Sequence, residues 1–200
     1  MQGDKFYVCF SGHKILAPTG VGVLYGKRAW LEKLPPVTFG GGMVDEVTDN
    51  RASWGELPFR FEAGTPNVAG IVGLGAAIDY LRALGPEALY EREASLLRRT
   101  EALVREKPFL SVLGAPAHRA GAISFTFRGL PCYDAAKLLD QLGFALRSGH
   151  HCAQPLLRHY GLESALRVSP AFYNTEEELD AFGAALDRIA ALPGYAHGCT

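Results

Sequence analysis

Residues 11–27 read SGHKILAPTGVGVLYGK. This stretch decides the fold class, because it sets one lysine, Lys14, in a polar turn between two segments built for β structure. Upstream, Lys5 to Phe10 is rich in aromatic and β-branched residues, and downstream Val21 to Tyr25 repeats that character, so both predict strands. A lysine held against apolar surroundings loses its proton more easily and can then form a Schiff base with a carbonyl. Ser11 and His13 stand beside it with hydrogen-bonding groups suited to a phosphate. The same pattern also suits a solvated surface lysine beside a packed histidine. Gly20 and Gly22 do not make a phosphate loop, since neither Gly-Lys-Ser nor Gly-Lys-Thr follows them.

Working outward, Pro35-Pro36 and Gly40-Gly41-Gly42 mark a loop region that continues to about Gly64. It is long for a segment without structure, and such segments are often functional or pack on a partner. A helix is expected from Thr65-Pro66, with Thr65 as cap and Pro66 at the first helical position. Its apolar run, Val68 to Leu84, holds Gly70, Gly73 and Gly75, which permit close backbone packing. Arg60, Glu62, Thr65 and Asn67 flank the turn into this helix. Thr65 offers a hydroxyl near helix N–H groups, a place for an anion, or serves as a plain cap. Pro86 opens a second, charged helix to about Lys107.

The rhythm then changes. A strand is expected at Ala122 to Phe127, a helix from Tyr133 to Leu142 ending at Gly143, and strands at Phe144 to Arg147 and Leu166 to Ser169. Thr175 and Glu178 form a capping-box pattern ahead of a last helix to about Leu192. That order is an α+β unit. The boundary falls between residues 85 and 110, giving domains 1–95 and 96–200. The tail from Pro193, PGYAHGCT, is expected to be disordered.

A second concentration of reactive side chains is RSGHHCAQPLL, residues 147–157. Arg147, His150 and His151 precede Cys152, and cationic neighbours favour the thiolate, the nucleophilic form of cysteine. A glycine before the group and a proline after it predict a shaped, mobile loop. His-His-Cys is also a set that ligates metals, but no convincing further ligands accompany it, so no metal is expected. An inert buried cysteine fits the local pattern as well. Arg167 stands on a predicted strand, where its guanidinium can grip a carboxylate in two-pronged fashion or pair with an aspartate of the same domain.

Composition narrows the classes. The chain has 200 residues, of which 48% are hydrophobic and 20% charged, so it can build a core. Twenty Lys and Arg face 21 Asp and Glu, a net charge of -1 that leaves no footprint for nucleic acid or an anionic membrane. The start lacks the basic region and apolar core of a secretory signal. No apolar run approaches the roughly 20 residues that cross a bilayer. Four cysteines at long spacings, with no Cys-x-x-Cys pair, argue against a structural zinc site or a disulfide scaffold and for free thiols in a reducing cytoplasm.

Taken together, SGHKILAPTGVGVLYGK, FEAGTPNVAGIVGLGAAIDYL (61–81), RSGHHCAQPLL and LRVSPAFYNTEEELDAF (166–182) resemble the SufS-like, class II cysteine desulfurases among the class V aminotransferases. The resemblance implies an α/β fold, the pyridoxal-phosphate-dependent transferase fold type I (aspartate-aminotransferase-like). Part of the large domain would be followed by a small α+β C-terminal domain. It implies that Lys14 holds pyridoxal 5'-phosphate through a Schiff base, with Ser11 and His13 on the phosphate side. It implies that Thr65 reaches the cofactor phosphate of the neighbouring subunit in a homodimer. Cys152 matches the cysteine that takes sulfur, Arg167 the arginine that grips the substrate carboxylate, and Arg147 and His151 active-site loop residues on the substrate side. L-cysteine would become L-alanine, leaving a persulfide on Cys152 for an acceptor of the SufE or SufU kind in iron–sulfur assembly.

Family members are about twice this long, and the residues here match only their second half. The pyridine-nitrogen aspartate, the ring-stacking histidine and most of the central sheet belong to the first half. The expectation is therefore that the isolated chain is not a competent desulfurase and needs that half, whether joined to it or as a separate chain. Selenocysteine lyase activity on the same scaffold, and a non-catalytic scaffold or interaction fragment, are the competing readings.

Overall fold

The computed structural model describes residues 7–193. Lys5 and Phe6 of the first expected strand, and residues 194–200 of the tail, lie outside the described residues. The chain separates into two compact units, one up to Gly85 and one from Pro86 onward. The sequence set the division at 95/96. The separation falls earlier because Gly85, at φ 86°, follows one helix directly and Pro86 opens the next.

In the first unit, β1 (Tyr7–Ser11) pairs antiparallel with β2 (Gly22–Gly26), in a register running from Tyr7 opposite Gly26 to Ser11 opposite Gly22. The polar turn between them includes a short 3-10 helix, Gly12–Ile15, that ends on Leu16 in the left-handed region at φ 68°. A four-residue helix α1 (Arg28–Leu31) follows. The expected loop region is not without structure. It folds into a hairpin, β3 (Val44–Thr48) with β4 (Arg51–Trp54), and a 3-10 turn at Phe59–Phe61. Helix α2 (Val68–Leu84) completes the unit. Its cap is Asn67, whose side-chain oxygen accepts from Gly70 N at 3.0 Å, so neither Thr65 nor Pro66 occupies the position expected of it.

The small core of this unit is Ala17, Leu74 and Ala77, with Ile15, Val21, Val23 and Ile78 packed against it. Close approach explains one glycine of α2. A Cβ on Gly73 would stand 2.6 Å from Pro18 Cγ, so the helix and the loop after Lys14 meet only because no side chain is there.

In the second unit a four-stranded antiparallel sheet has the order β5 (Leu110–Val112), β6 (Ile123–Phe127), β8 (Ala165–Val168), β7 (Arg147–Gly149). Helices α3 (Pro86–Arg105), α4 (Cys132–Gln141) and α6 (Glu176–Ala190) pack with it, and α5 (Gln154–His159) follows β7. Alternation along the strands sorts the faces. Ile123, Phe125 and Phe127 are buried, and Phe125 and Leu166 join Leu139, Phe182 and Leu186 in one cluster. Ser124 and Arg167 point the other way. The last helix starts as expected: Thr175 accepts from Glu178 N, and Glu178 accepts from Thr175 N at 2.9 Å, a reciprocal capping box.

Two local expectations are corrected. Residues 144–146 are not strand; Phe144 and Leu146 pack on the core instead, and the strand is the polar Arg147–Gly149. Pro155 does not end a loop but lies in the first turn of α5, where its missing N–H is not needed. β5 and α5 themselves had no counterpart in the sequence reading. Among the described residues no single helix is long and apolar enough to cross a membrane. Cys9, Cys132 and Cys152 are free thiols.

Candidate active site

Lys14 lies on the 3-10 turn with its side chain exposed, and the apolar surroundings expected for it are not provided by this unit. Among the described residues Ser11, His13 and Lys14 have no side-chain hydrogen bond or ion pair. The turn itself is firmly held. Gly12 N donates to Val21 O at 2.8 Å, Ala17 N donates to Gly12 O at 3.1 Å, and a Cβ on Gly12 would meet Val21 Cγ1 at 2.9 Å. Asn67, the cap of α2, also donates from Nδ2 to Gly20 O at 3.1 Å, tying the helix start to the loop that follows Lys14. This residue was placed by sequence only as a flank of the turn.

Thr65 is exposed just ahead of α2. The free N–H groups anticipated near it are mostly engaged: Val68 N donates to Pro66 O at 2.8 Å and Gly70 N to the Asn67 side chain. Arg60 donates to Glu32 O at 3.5 Å while its Nε is buried without a partner.

The second unit gathers the remaining candidates. β7 and β8 pair so that Arg147 stands opposite Arg167, and β6 and β8 so that Ser124 stands opposite Arg167. Because cross-strand partners share a face, these three side chains lie on the side of the sheet away from the helix-packed cluster. Two like charges directly opposite on neighbouring strands repel. Here no carboxylate neutralises either guanidinium among the described residues, and Arg167 Nε is buried with no partner. Such a pair of forks is suited to an anion, a carboxylate above all.

Cys152 is exposed at the tip of the loop after β7. Arg147 Nη2 reaches its sulfur at 4.0 Å. The loop is not merely mobile linker: His151 and Cys152 both have positive φ, 54° and 58°, after Gly149 at 117°. Consecutive left-handed residues with side chains are uncommon and mark a turn held by its neighbours. His151 is half-buried, and its Nε2 lies 2.9 Å from Ala165 O. Loss of hydration holds this imidazole below the ordinary histidine range, and the charges of Arg167, Arg147 and His150 push it the same way against the Ala165 bond. His150, which sequence reading treated only as a cationic neighbour, accepts the Cys152 N–H at Nδ1, 3.1 Å away.

Behind this turn lies a cleft of about 530 Å³, lined by His150, His151, Ser124 and Arg119 and by apolar groups that include Leu156 and Tyr160. Arg119 is occupied, donating to Glu101 Oε2 at 3.1 Å and to Gly114 O. Among the described residues no group of three or more His, Cys, Asp or Glu side chains is placed to hold a metal ion.

Residues 4–182 match the family model described as aminotransferase class-V. A cysteine desulfurase of Serratia proteamaculans is 47% identical over 190 residues, 94% of this chain and 46% of that protein. Two solved structures are similar. The S-sulfonic acid form of the cysteine desulfurase CsdA from Escherichia coli has a TM-score of 0.85 and 39% identity, covering 92% of this chain and 45% of that one. A cysteine desulfurase from Thermococcus onnurineus NA1 has a TM-score of 0.86 and 35% identity, covering 92% and 46%. The chain thus spans about half the length of the curated relatives it matches.

Proposed function

Because this chain belongs to the class V aminotransferases and shares the α/β architecture of fold type I, we propose that it is the part of a pyridoxal-phosphate-dependent cysteine desulfurase that carries the cofactor lysine and the sulfur-accepting cysteine. The observation that carries this reading is an exposed thiol, Cys152, on the loop beside Arg147, which shares a sheet face with Arg167, neither arginine being neutralised by a carboxylate among the described residues.

The donor set of the first unit fits a phosphorylated aldehyde. Lys14 offers an amine for the carbonyl, and Ser11 and His13 offer a hydroxyl and an imidazole for the phosphate, none of the three engaged by a side-chain hydrogen bond or ion pair among the described residues. Thr65 adds a second hydroxyl, directed to the phosphate of a neighbouring subunit in a homodimer. When bound, the cofactor supplies an electron sink for charge developing at the substrate α-carbon.

The chain's own residues then have separable tasks. Arg167, with Arg147 opposite, binds the carboxylate of L-cysteine and fixes its orientation. The Lys14 amine moves the proton at the α-carbon. The Cys152 thiolate attacks the substrate sulfur as the carbon–sulfur bond breaks, and carbon takes up a proton. The products are L-alanine and a persulfide on Cys152, so one sulfur atom passes from substrate to protein. The exposure of Cys152 allows a SufE- or SufU-type acceptor to collect it for iron–sulfur assembly in the cytoplasm. The groups that complete the cofactor site in a whole desulfurase come from the half of the relatives' length that this chain does not span, as a preceding segment or a separate chain.

An absorption spectrum of the protein with pyridoxal phosphate tests the first task, and Lys14→Ala should abolish the band. L-cysteine added to that sample, or to one co-purified with a complementary chain identified by intact mass, should give alanine and a mass increase of one sulfur on Cys152. A Lys14-dependent band with no alanine and no sulfur on Cys152, in a sample containing the complementary half, would sink the proposal.

A further inference from the structure

We infer that His151 is a positioning residue for the Cys152 thiol: it fastens a left-handed turn to the strand that carries Arg167 and so sets where the sulfur stands relative to the carboxylate grip. The inference rests on the reading of Cys152 as the sulfur acceptor.

The backbone of His151 and Cys152 is in a region that residues with side chains occupy only when something holds them there. Two contacts do so. Cys152 N donates to His150 Nδ1 inside the turn, and His151 Nε2 meets Ala165 O outside it. The outer contact matters more for placement. Ala165 pairs with Gly149 and Arg167 with Arg147, so the bond ties the chain just past β7 back to β8, two residues from Arg167.

The ring's protonation follows from its partners. A carbonyl only accepts, so Nε2 must carry hydrogen. Nδ1 is then a bare lone pair, and it is buried with no partner. Neither nitrogen is left for a substrate: one is spent on backbone and the other is closed off. A second proton would enter on Nδ1, where no acceptor waits. The groups around the ring are Arg147 and His150 on its own segment, Arg167 on β8, and Arg119 and Tyr160 around the adjoining cleft. None of them is a carboxylate. Protonation would leave the Nε2–H on Ala165 O but would bury a second N–H without an acceptor and place a positive charge beside Arg147 and Arg167, so acid strains the seat of the ring and with it the turn.

The test is the rate at which iodoacetamide alkylates Cys152 in the full chain across pH 5 to 8.5, followed by peptide mass, with the exposed Cys9 as internal reference. Wild type should lose Cys152 reactivity in acid more steeply than a single thiol ionisation allows, with Cys9 showing one step. His151→Gln keeps a donor near the Nε2 position and cannot titrate, so it should restore the neutral-pH rate and remove the extra acid step. His151→Ala should change the Cys152-to-Cys9 ratio by about fivefold at neutral pH, toward that of an untethered loop. Circular dichroism of each variant checks folding. An unchanged ratio in His151→Ala, or an acid step that survives in His151→Gln, overturns the inference. Alkylation needs neither cofactor nor substrate. A failure of the desulfurase reading would therefore appear separately, as no alanine from L-cysteine while the His151 effect on Cys152 stands.

Discussion

The two units carry chemistry in opposite ways. Among the described residues the second buries thirteen in one cluster around Phe125, Leu139, Leu166 and Leu186, and mounts its arginines on the far face of the sheet this cluster supports, with the thiol on the loop beside them. The cluster of the first holds three, Ala17, Leu74 and Ala77, beneath a two-stranded ribbon and one helix, with Met43 buried apart from it. It leaves Tyr25 61% and Val72 68% exposed. A two-stranded ribbon is marginal by itself and needs an apolar face covered by something else. The arginine pair is thus a property of a self-supporting scaffold. The lysine turn depends on local fastenings: a hydrogen bond from Asn67, a glycine without a Cβ, and a proline against a helix.

The largest expected effect probes that asymmetry. Phe125→Ala empties the centre of the second unit and should cost about 3–5 kcal/mol, whereas Leu74→Ala in the first unit, where fewer neighbours surround the side chain, should cost nearer 2 kcal/mol. Urea denaturation followed by probes in each unit checks this, and equal costs would break the comparison. Next in size, Gly73→Ala puts a methyl 2.6 Å from Pro18 Cγ and should cost about 1–3 kcal/mol by overpacking. Its signature should be weaker Lys14-dependent binding of pyridoxal phosphate with the second unit's denaturation midpoint unmoved. In the second unit, Thr175→Ala removes one half of the capping box and should cost about 1 kcal/mol, confined to that unit's transition.

The smallest effect is in pH. His151 is held below its ordinary range chiefly by burial, so the unfolded chain takes up this proton first. Its contribution to stability is complete above the unfolded value of about 6.5 and is lost as pH falls toward the depressed folded value. The second unit should therefore denature at lower urea at pH 5 than at pH 7.5, by a margin that shrinks in His151→Gln. An unaltered margin would remove His151 from the account.

Much of this was legible because the signals are local. The capping box at Thr175 and Glu178, the proline opening α3 and the apolar–polar alternation of Ile123–Phe127 each specify their element from nearby residues. The hairpin Val44–Trp54 was not legible. Apart from Trp54 its strands are exposed, so no alternation between a buried and a wet face marks them. The strand before Cys152 was misplaced for the converse reason: Phe144 and Leu146 are apolar because they pack on the core, while the hydrogen-bonded residues are Arg147, Ser148 and Gly149. At the candidate site the residue types were plain from sequence, but not their partners. Nothing in the chain order says that Ser124 stands opposite Arg167, or that His151 turns to Ala165, because both depend on a register between distant strands.

The strand order places β7 at an edge of its sheet, with no strand among the described residues along its outer side. Edges of this kind recruit other chains into continuous sheets unless something blunts them. β7 is only three residues long, ends on a glycine at φ 117° and presents a charged side chain at its first position. A strand this short, ending on such a glycine, offers little for another chain to pair with, and Arg147 opens it with a charge beside the thiol. Its neutral replacements should be judged for solubility before they are judged for chemistry.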